Sequence, residues 1–228
     1  MYIYIMRHGE TYWNKEGKIQ GSSDIELTDF GLELARLSAD GFRRDGICFD
    51  RIYTSPLIRA VRTAKIIARE NLRSAGAVAG ETVNAEAFQI DARIREMCFG
   101  KYEGLKLKEL RDHDENIVNC FSHPDRYIPD ETGESYPEVF ARIDDFMEQE
   151  LLPLERDSGM RNVLVLCHGT VIRAFLSRIN GIAPEDFWNI RQPNCCINKI
   201  ELKNGVFASV RENILYYESE ELMHRGIL

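Results

Sequence analysis

Two short apolar runs in this chain end on the same pair of residues. Tyr2-Ile3-Tyr4-Ile5-Met6 leads straight into Arg7-His8-Gly9, and Val163-Leu164-Val165-Leu166-Cys167 leads straight into His168-Gly169-Thr170. A run of about five residues without polar alternation suits a strand covered on both faces, as in the centre of a parallel sheet. Each run therefore delivers a His-Gly pair to the carboxyl end of a core strand, the edge at which open α/β sheets bind ligands. The class this predicts is α/β.

Between the runs the pattern is helical. Leu27-Thr28-Asp29 leads into Phe30 to Leu37, with Thr28 placed as an N-cap. Residues 50–54 read as a short strand, and Ser55-Pro56 then opens a helix through Arg59, Arg62, Ala64 and Ile67. That start puts Arg59 one turn from free backbone N–H groups, where together they can meet an anion. Val171 to Ile179 forms another helix, closed by Asn180-Gly181, and Asn204-Gly205 turns a hairpin between 199–202 and 206–210. Residues from about 91 to 138 are polar, carry prolines at 124, 129 and 137, and show one helix near Leu105 to Asn119. They read as a cap or lid inserted into a single domain spanning residues 1–228. Charged Glu218 to Leu222 reads as a solvated helix or tail.

Composition narrows the partners. Of the 228 residues 44% are apolar and 29% charged, enough for a sizeable core, and no apolar run approaches the roughly 20 residues of a membrane span. The six cysteines form no Cys-x-x-Cys pair and sit among apolar neighbours, which suggests reduced thiols and a cytoplasmic protein. A net charge of −8 argues against nucleic acid. It leaves room for a small anion held by converging arginines.

Two of only five histidines, His8 and His168, hold equivalent places after a core strand. One chemistry open to them is metal binding, with Glu10 or Glu96 as a further ligand. Arg7, Arg59, Arg62 and Arg173 lie near the predicted strand ends or helix starts, and guanidinium groups beside a divalent cation are costly. The same groups bind phosphate oxygens bidentately, so phosphate is favoured over metal. A neutral imidazole at His8 would attack phosphorus, while His168 and the arginines steady the charge on the equatorial oxygens. A carboxylic acid must protonate the leaving oxygen. Glu96 is a candidate, and a surface ion pair with Arg93 or Arg95 is an equal alternative for it.

Arg7-His8-Gly9-Glu10-Thr11, with Asn14 soon after, resembles the signature of the histidine phosphatase superfamily, also called the phosphoglycerate mutase-like family. The ordered series continues with Gln20-Gly21, Leu27-Thr28 and Gly31, then Thr54-Ser55-Pro56-Leu57-Ile58-Arg59-Ala60 with Thr63-Ala64. Glu96 with Gly100 and Glu103-Gly104, Gly133-Glu134-Ser135 and Cys167-His168-Gly169 complete it. The resemblance implies a three-layer α/β/α sandwich around a mostly parallel sheet, with no metal or organic cofactor needed for hydrolysis. Carried over by position, it makes His8 the phosphorylated nucleophile and Glu96 the proton donor. Arg7, Arg59, His168 and Gly169 fall in the phosphate pocket, with Thr11, Asn14, Gln20 and Gly21 lining it. Arg62 and Arg173 read as structural, and Ser135 as a cap for a helix from Tyr136.

The fold serves mutases and phosphatases alike. Family mutases carry an Arg-His-Tyr-Gly type run and a downstream Trp-Arg-Arg segment. Here the first is Arg95-Glu96-Met97-Cys98-Phe99-Gly100-Lys101-Tyr102-Glu103-Gly104, and no tryptophan lies between Trp13 and Trp188. That form resembles the broad-specificity phosphatase branch, acting on small phosphorylated metabolites as an acid-type histidine phosphatase. The alternative is a cofactor-dependent phosphoglycerate mutase. A non-catalytic phospho-ligand binder is disfavoured, because such proteins lose a pocket residue and all five core positions are present. The final strand departs from many relatives, since Asn213 is followed by Ile214-Leu215-Tyr216-Tyr217 and not soon by histidine. Substrate identity and oligomeric state, monomer or homodimer, are not legible.

Overall fold

The structure is a computed structural model that describes residues 1–72 and 87–217. Its strands are β1 (Tyr2–Arg7), β2 (Arg51–Thr54), β3 (Phe88–Ile90), β4 (Asn162–Cys167), β5 (Ile197–Lys203) and β6 (Val206–Ile214). Its α-helices are α1 (Tyr12–Glu16), α2 (Asp29–Arg44), α3 (Ile58–Asn71), α4 (Leu107–Leu110), α5 (Glu115–Ser122), α6 (Tyr136–Phe146), α7 (Leu152–Leu154) and α8 (Gly169–Asn180). One sheet runs in the order β3-β2-β4-β1-β5-β6, parallel from β3 to β1 and antiparallel at β5 and β6.

Both faces of the two central strands are covered, which is why their sequences show no polar alternation. Ile3, Ile5, Val163, Val165 and Cys167 pack with Ile143 and Phe146 of α6 and Phe175 of α8. Tyr4, Met6, Leu164 and Leu166 pack on the other face with Leu34 and Phe42 of α2 and Ala64 and Ile67 of α3. The result is the three-layer α/β/α arrangement expected. Arg7 pairs with Cys167 across β1 and β4, so His8 and His168 leave neighbouring strands at the same level. Because side chains alternate faces, a one-residue slip would turn both apolar runs over.

Backbone contact fixes the loop after His8. A Cβ on Gly31 would lie 2.0 Å from the Glu10 carbonyl oxygen, and one on Gly9 would lie 2.4 Å from the Gly31 carbonyl oxygen. Only glycines let α2 sit this close to the end of β1. Thr28 caps α2 as expected, accepting the Gly31 N–H at 3.0 Å. Ser135 caps α6 in a reciprocal box with Glu138. Asn204 and Gly205 turn the β5–β6 hairpin with φ of 54° and 75°.

Three expectations need correction. The third helix starts at Ile58, with Leu57 as an uncapped N-cap residue, and not at Ser55-Pro56. The Ser55 hydroxyl accepts from the Leu57 N–H, and the Ile58 N–H donates to Asp24 Oδ1 at 2.6 Å. That amide is therefore unavailable to an anion. The helix expected near 105–119 is two pieces, α4 and α5, because Asp114 takes the Ile117 N–H and begins a new helix. Strand β3, three residues long with a polar centre, had no sequence signal. The 218–222 tail lies outside the described residues. Among the described residues no helix is long and apolar enough to cross a membrane.

Candidate active site

His8 is 2% exposed at the end of β1, and its Nδ1 lies 2.7 Å from the Gly9 carbonyl oxygen. A carbonyl only accepts, so Nδ1 carries the proton and Nε2 keeps a free lone pair. Burial, then the Arg59 and Arg7 cations, hold this imidazole well below its ordinary 6.5, against a smaller opposing pull from Gly9. The ring is neutral where an ordinary histidine would be half charged.

His168 lies beside it, with ring centroids 5.1 Å apart. Arg59 Nε donates to its Nδ1 at 3.2 Å, which leaves the proton on Nε2, 2.7 Å from Ser55 Oγ. Burial, Arg59 and His8 push His168 well below 6.5 as well. Arg59 is fully buried and engages in three directions: besides His168, its Nη1 reaches the Ser23 carbonyl at 2.6 Å and its Nη2 the Gly21 carbonyl at 2.7 Å. Gly21, at φ 53°, presents that carbonyl from a left-handed turn whose Cβ side is filled by Glu103. Burial lowers Arg59 to about 10, so it stays charged at neutral pH.

Arg7 Nη1 donates to the Gln192 carbonyl at 2.5 Å, while its buried Nε has no hydrogen-bond partner. Glu96 is 8% exposed and accepts the Met97 N–H at 3.0 Å and the Thr170 N–H at 3.3 Å. It makes neither of the ion pairs considered for it: Arg93 binds Asp91, Asp145 and Glu150, and Arg95 binds Glu134. Arg62 pairs with Glu26 at 3.0 Å, away from the histidines. Glu10 turns away too, its Oε1 accepting from Thr28 Oγ1 at 2.6 Å. Among the described residues no group of three or more His, Cys, Asp or Glu is arranged to hold a metal ion.

These groups surround a cavity of about 310 Å³. Arg7, His8, Asn14, Gln20, Gly21, Arg59, Glu96 and Gly169 line it; Thr11 and His168 do not, and reach it through their bonds to Gln20 and Arg59. Thr11 donates to Gln20 Oε1 at 2.7 Å and boxes the start of α1 with Asn14, so its role is to hold those two side chains. Asn194, unmarked in the sequence, ties the site together by donating to the His8 carbonyl at 3.1 Å and to Asn14 Oδ1 at 3.2 Å. Tyr217, just past the last strand, donates in turn to the Asn194 carbonyl at 2.5 Å. Apolar lining comes from Phe99, Leu107 and Phe121 of the 91–138 segment and from Trp188, whose ring lies 4.7 Å from that of Phe121. Arg173, read as structural from its spacing, also lines the cavity.

The two depressed imidazoles set the sign of a pH effect. Each takes a proton near 6.5 in the unfolded chain but only well below that when folded, so stability falls as pH drops below about 6.5. The thermal midpoint should therefore be lower at pH 5.5 than at pH 7.5. Replacing His168 with glutamine should narrow the gap, and an unchanged gap would contradict the assignment.

The family model of the histidine phosphatase superfamily (branch 1) matches residues 3–215. A Hydrogenobacter thermophilus protein named as a candidate phosphoserine phosphatase is 32% identical over 202 residues, 88% of this chain and 89% of the relative. A Klebsiella pneumoniae protein named as a candidate phosphoglycerate mutase is 35% identical over 207 residues, 89% of this chain and 86% of the relative. Among solved structures, an Entamoeba histolytica phosphoserine phosphatase, a histidine-to-alanine variant in complex with phosphoserine, is 28% identical. It superposes with a TM-score of 0.71, covering 93% of this chain and 96% of its own.

Proposed function

This chain belongs to the histidine phosphatase superfamily, and on that premise we propose that it hydrolyses small phosphomonoesters through a phosphohistidine at His8. The observation that carries the proposal is the His8 tautomer: a neutral ring with Nε2 unprotonated, beside Arg7 and Arg59 in a cavity that also holds Glu96. Nε2 attacks phosphorus as the bond to the leaving oxygen breaks, and Glu96 gives that oxygen its proton. Water then attacks the phosphohistidine and passes a proton to Glu96; the P–N bond breaks, phosphate departs and the His8 lone pair is restored. Arg7 and Arg59 face the equatorial oxygens, whose charge is the main thing to stabilise. His168, donated to by Arg59 and bonded to Ser55, holds Arg59 in place. No step calls on a metal, so turnover should survive EDTA.

A phosphatase is favoured over a mutase by the Phe99-Gly100-Lys101-Tyr102-Glu103-Gly104 text and by the missing tryptophan segment. A mutase would convert 3-phosphoglycerate only with added 2,3-bisphosphoglycerate, and that assay separates the two. Phosphoserine, the ligand of the Entamoeba relative, belongs on the substrate panel beside sugar phosphates.

Glu96→Gln tests the proton donor. It keeps the side chain's shape but removes its transferable proton, so turnover of alkyl phosphates should fall about 10²- to 10⁴-fold. With p-nitrophenyl phosphate, whose leaving group needs no proton, the first step should stay fast and the water step slow. Stopped-flow should then show a burst approaching one p-nitrophenol per active site. Equal losses on both substrates without a burst would remove Glu96 from the acid role.

A further inference from the structure

Glu103 and Gly104 have no part in the mechanism above, yet they stand where the 91–138 segment meets the loop that follows α1. Backbone bonds lay that loop along the segment. The Gly104 N–H donates to the Ile19 carbonyl at 2.8 Å, the Ile19 N–H to the Leu105 carbonyl at 2.9 Å, and the Leu107 N–H to the Gly17 carbonyl at 3.2 Å. At its far end the same loop reaches the helix that carries Arg59, where Asp24 Oδ1 accepts the Ile58 N–H at 2.6 Å.

Between these ends lies Ser22, flanked by the Gly21 and Ser23 carbonyls that hold Arg59. Glu103 grips this stretch from the other side. Its Oε1 accepts the Ser22 N–H at 2.8 Å, the Ser22 hydroxyl at 3.0 Å and the Phe99 N–H at 3.1 Å, and its Oε2 accepts the Ser23 hydroxyl at 2.5 Å. The carboxylate fits because residue 21 has no side chain: a Cβ on Gly21 would lie 2.1 Å from Oε1. The Ser22 N–H and the Gly21 carbonyl belong to one planar peptide unit and point from opposite edges of it. Glu103 holds one edge and Arg59 Nη2 takes the other, so the plane passes the position of the carboxylate on to the guanidinium.

Hydrogen bonding carries this link more than charge does. Burial lowers Arg59, and among the carboxylates that pull it back Glu96 and Asp24 outweigh Glu103. We propose that Glu103 is a positioning residue for Arg59: it holds the Gly21–Ser22 peptide plane, and through it the guanidinium, in place beside His8 and His168. The 91–138 segment then helps to set the phosphate pocket as well as line it. This rests on the reading of Arg59 as a phosphate ligand in a phosphomonoester hydrolase site.

Two variants separate reach from charge. Glu103→Gln keeps an acceptor oxygen for the two amides, and its NH2 can face Ser23, whose hydroxyl then accepts. Glu103→Asp keeps the charge but is one methylene too short for those amides. With p-nitrophenyl phosphate, kcat should stay within about threefold in Glu103→Gln and fall about 10- to 100-fold in Glu103→Asp, with KM changing less, since a misplaced donor is felt chiefly in the transition state. In an Arg59→Met background the Glu103→Asp loss should shrink to within about threefold, because the group being positioned is gone. The reverse order, with Glu103→Gln impaired and Glu103→Asp spared, overturns the proposal, as does kcat unaltered in both or the full loss persisting without Arg59. Should Glu103→Asp fold poorly, Glu103→Ala gives the same comparison. If the unaltered protein hydrolyses neither p-nitrophenyl phosphate nor phosphoserine, the hydrolase reading fails instead, and calorimetric titration with inorganic phosphate still tests Glu103. The dissociation constant should then rise about threefold or more in Glu103→Asp and hold in Glu103→Gln, and equal constants in all three proteins overturn the proposal.

Discussion

Replacing His8 with alanine should lower kcat by about 10⁴-fold or more, because it removes the only group in the proposed mechanism that bonds to phosphorus. The fold should survive. The contacts that anchor this position are made by the backbone: the His8 N–H donates to the Cys167 carbonyl at 3.1 Å, and the His8 carbonyl accepts from Asn194 and from the Cys195 N–H. The imidazole itself contributes one short bond to Gly9 and lies near two cations, so its loss costs little beyond packing. A rapid-quench experiment with labelled substrate separates mechanism from damage. The unaltered protein should retain label that survives alkali and is lost in acid, as a phosphohistidine does. The variant should retain none while melting cooperatively. Label on the variant would move the nucleophile elsewhere.

Arg59→Met should show the second large effect, and here stability and activity fall together. Methionine fills much of the volume but leaves the Gly21 and Ser23 carbonyls and His168 Nδ1 without their donor. Each orphaned acceptor costs about 1–3 kcal/mol, partly offset by no longer burying a charge, so a net loss of roughly 2–4 kcal/mol is expected. Activity should drop about 10³-fold, the scale of losing one preorganised donor to a developing oxyanion. Lysine should not rescue, since a single ammonium cannot reach three acceptors in three directions. Urea denaturation and steady-state kinetics on the same preparations check both halves. Activity within tenfold of the unaltered protein would dismiss Arg59 from the phosphate pocket.

The sequence marked some of these groups for physical reasons and hid others for equally physical ones. His8 and His168 were visible because a strand buried on both faces writes an unbroken apolar run and ends abruptly. Arg59 is legible from its place near a helix start, and Glu96 only as one of two equal readings beside two arginines that suggest an ion pair; the family resemblance gives each a definite role. Asn194 and Tyr217 carried no signal. Asn194 reaches His8 across the fold and Tyr217 reaches Asn194, and nothing periodic announces a polar residue that faces inward from a loop. Ser55 misled in a specific way: Ser-Pro is a good helix start, yet this hydroxyl bonds to His168, and the helix begins three residues later. Arg173 looked structural because four residues separate it from Gly169 on one helix, and only the folded chain shows that it lines the cavity.

The pairing of β1 with β4 also governs when a copy of this protein can first act. Residues at the start of the chain find their partner strand only near position 162, and the other edge of β1 is closed by β5 from position 197 onward. During synthesis His8 emerges early but has neither His168 nor Asn194 beside it until most of the chain has left the ribosome. A half-made product therefore lacks the assembled site, and any activity should appear only once the chain through β5 has been made.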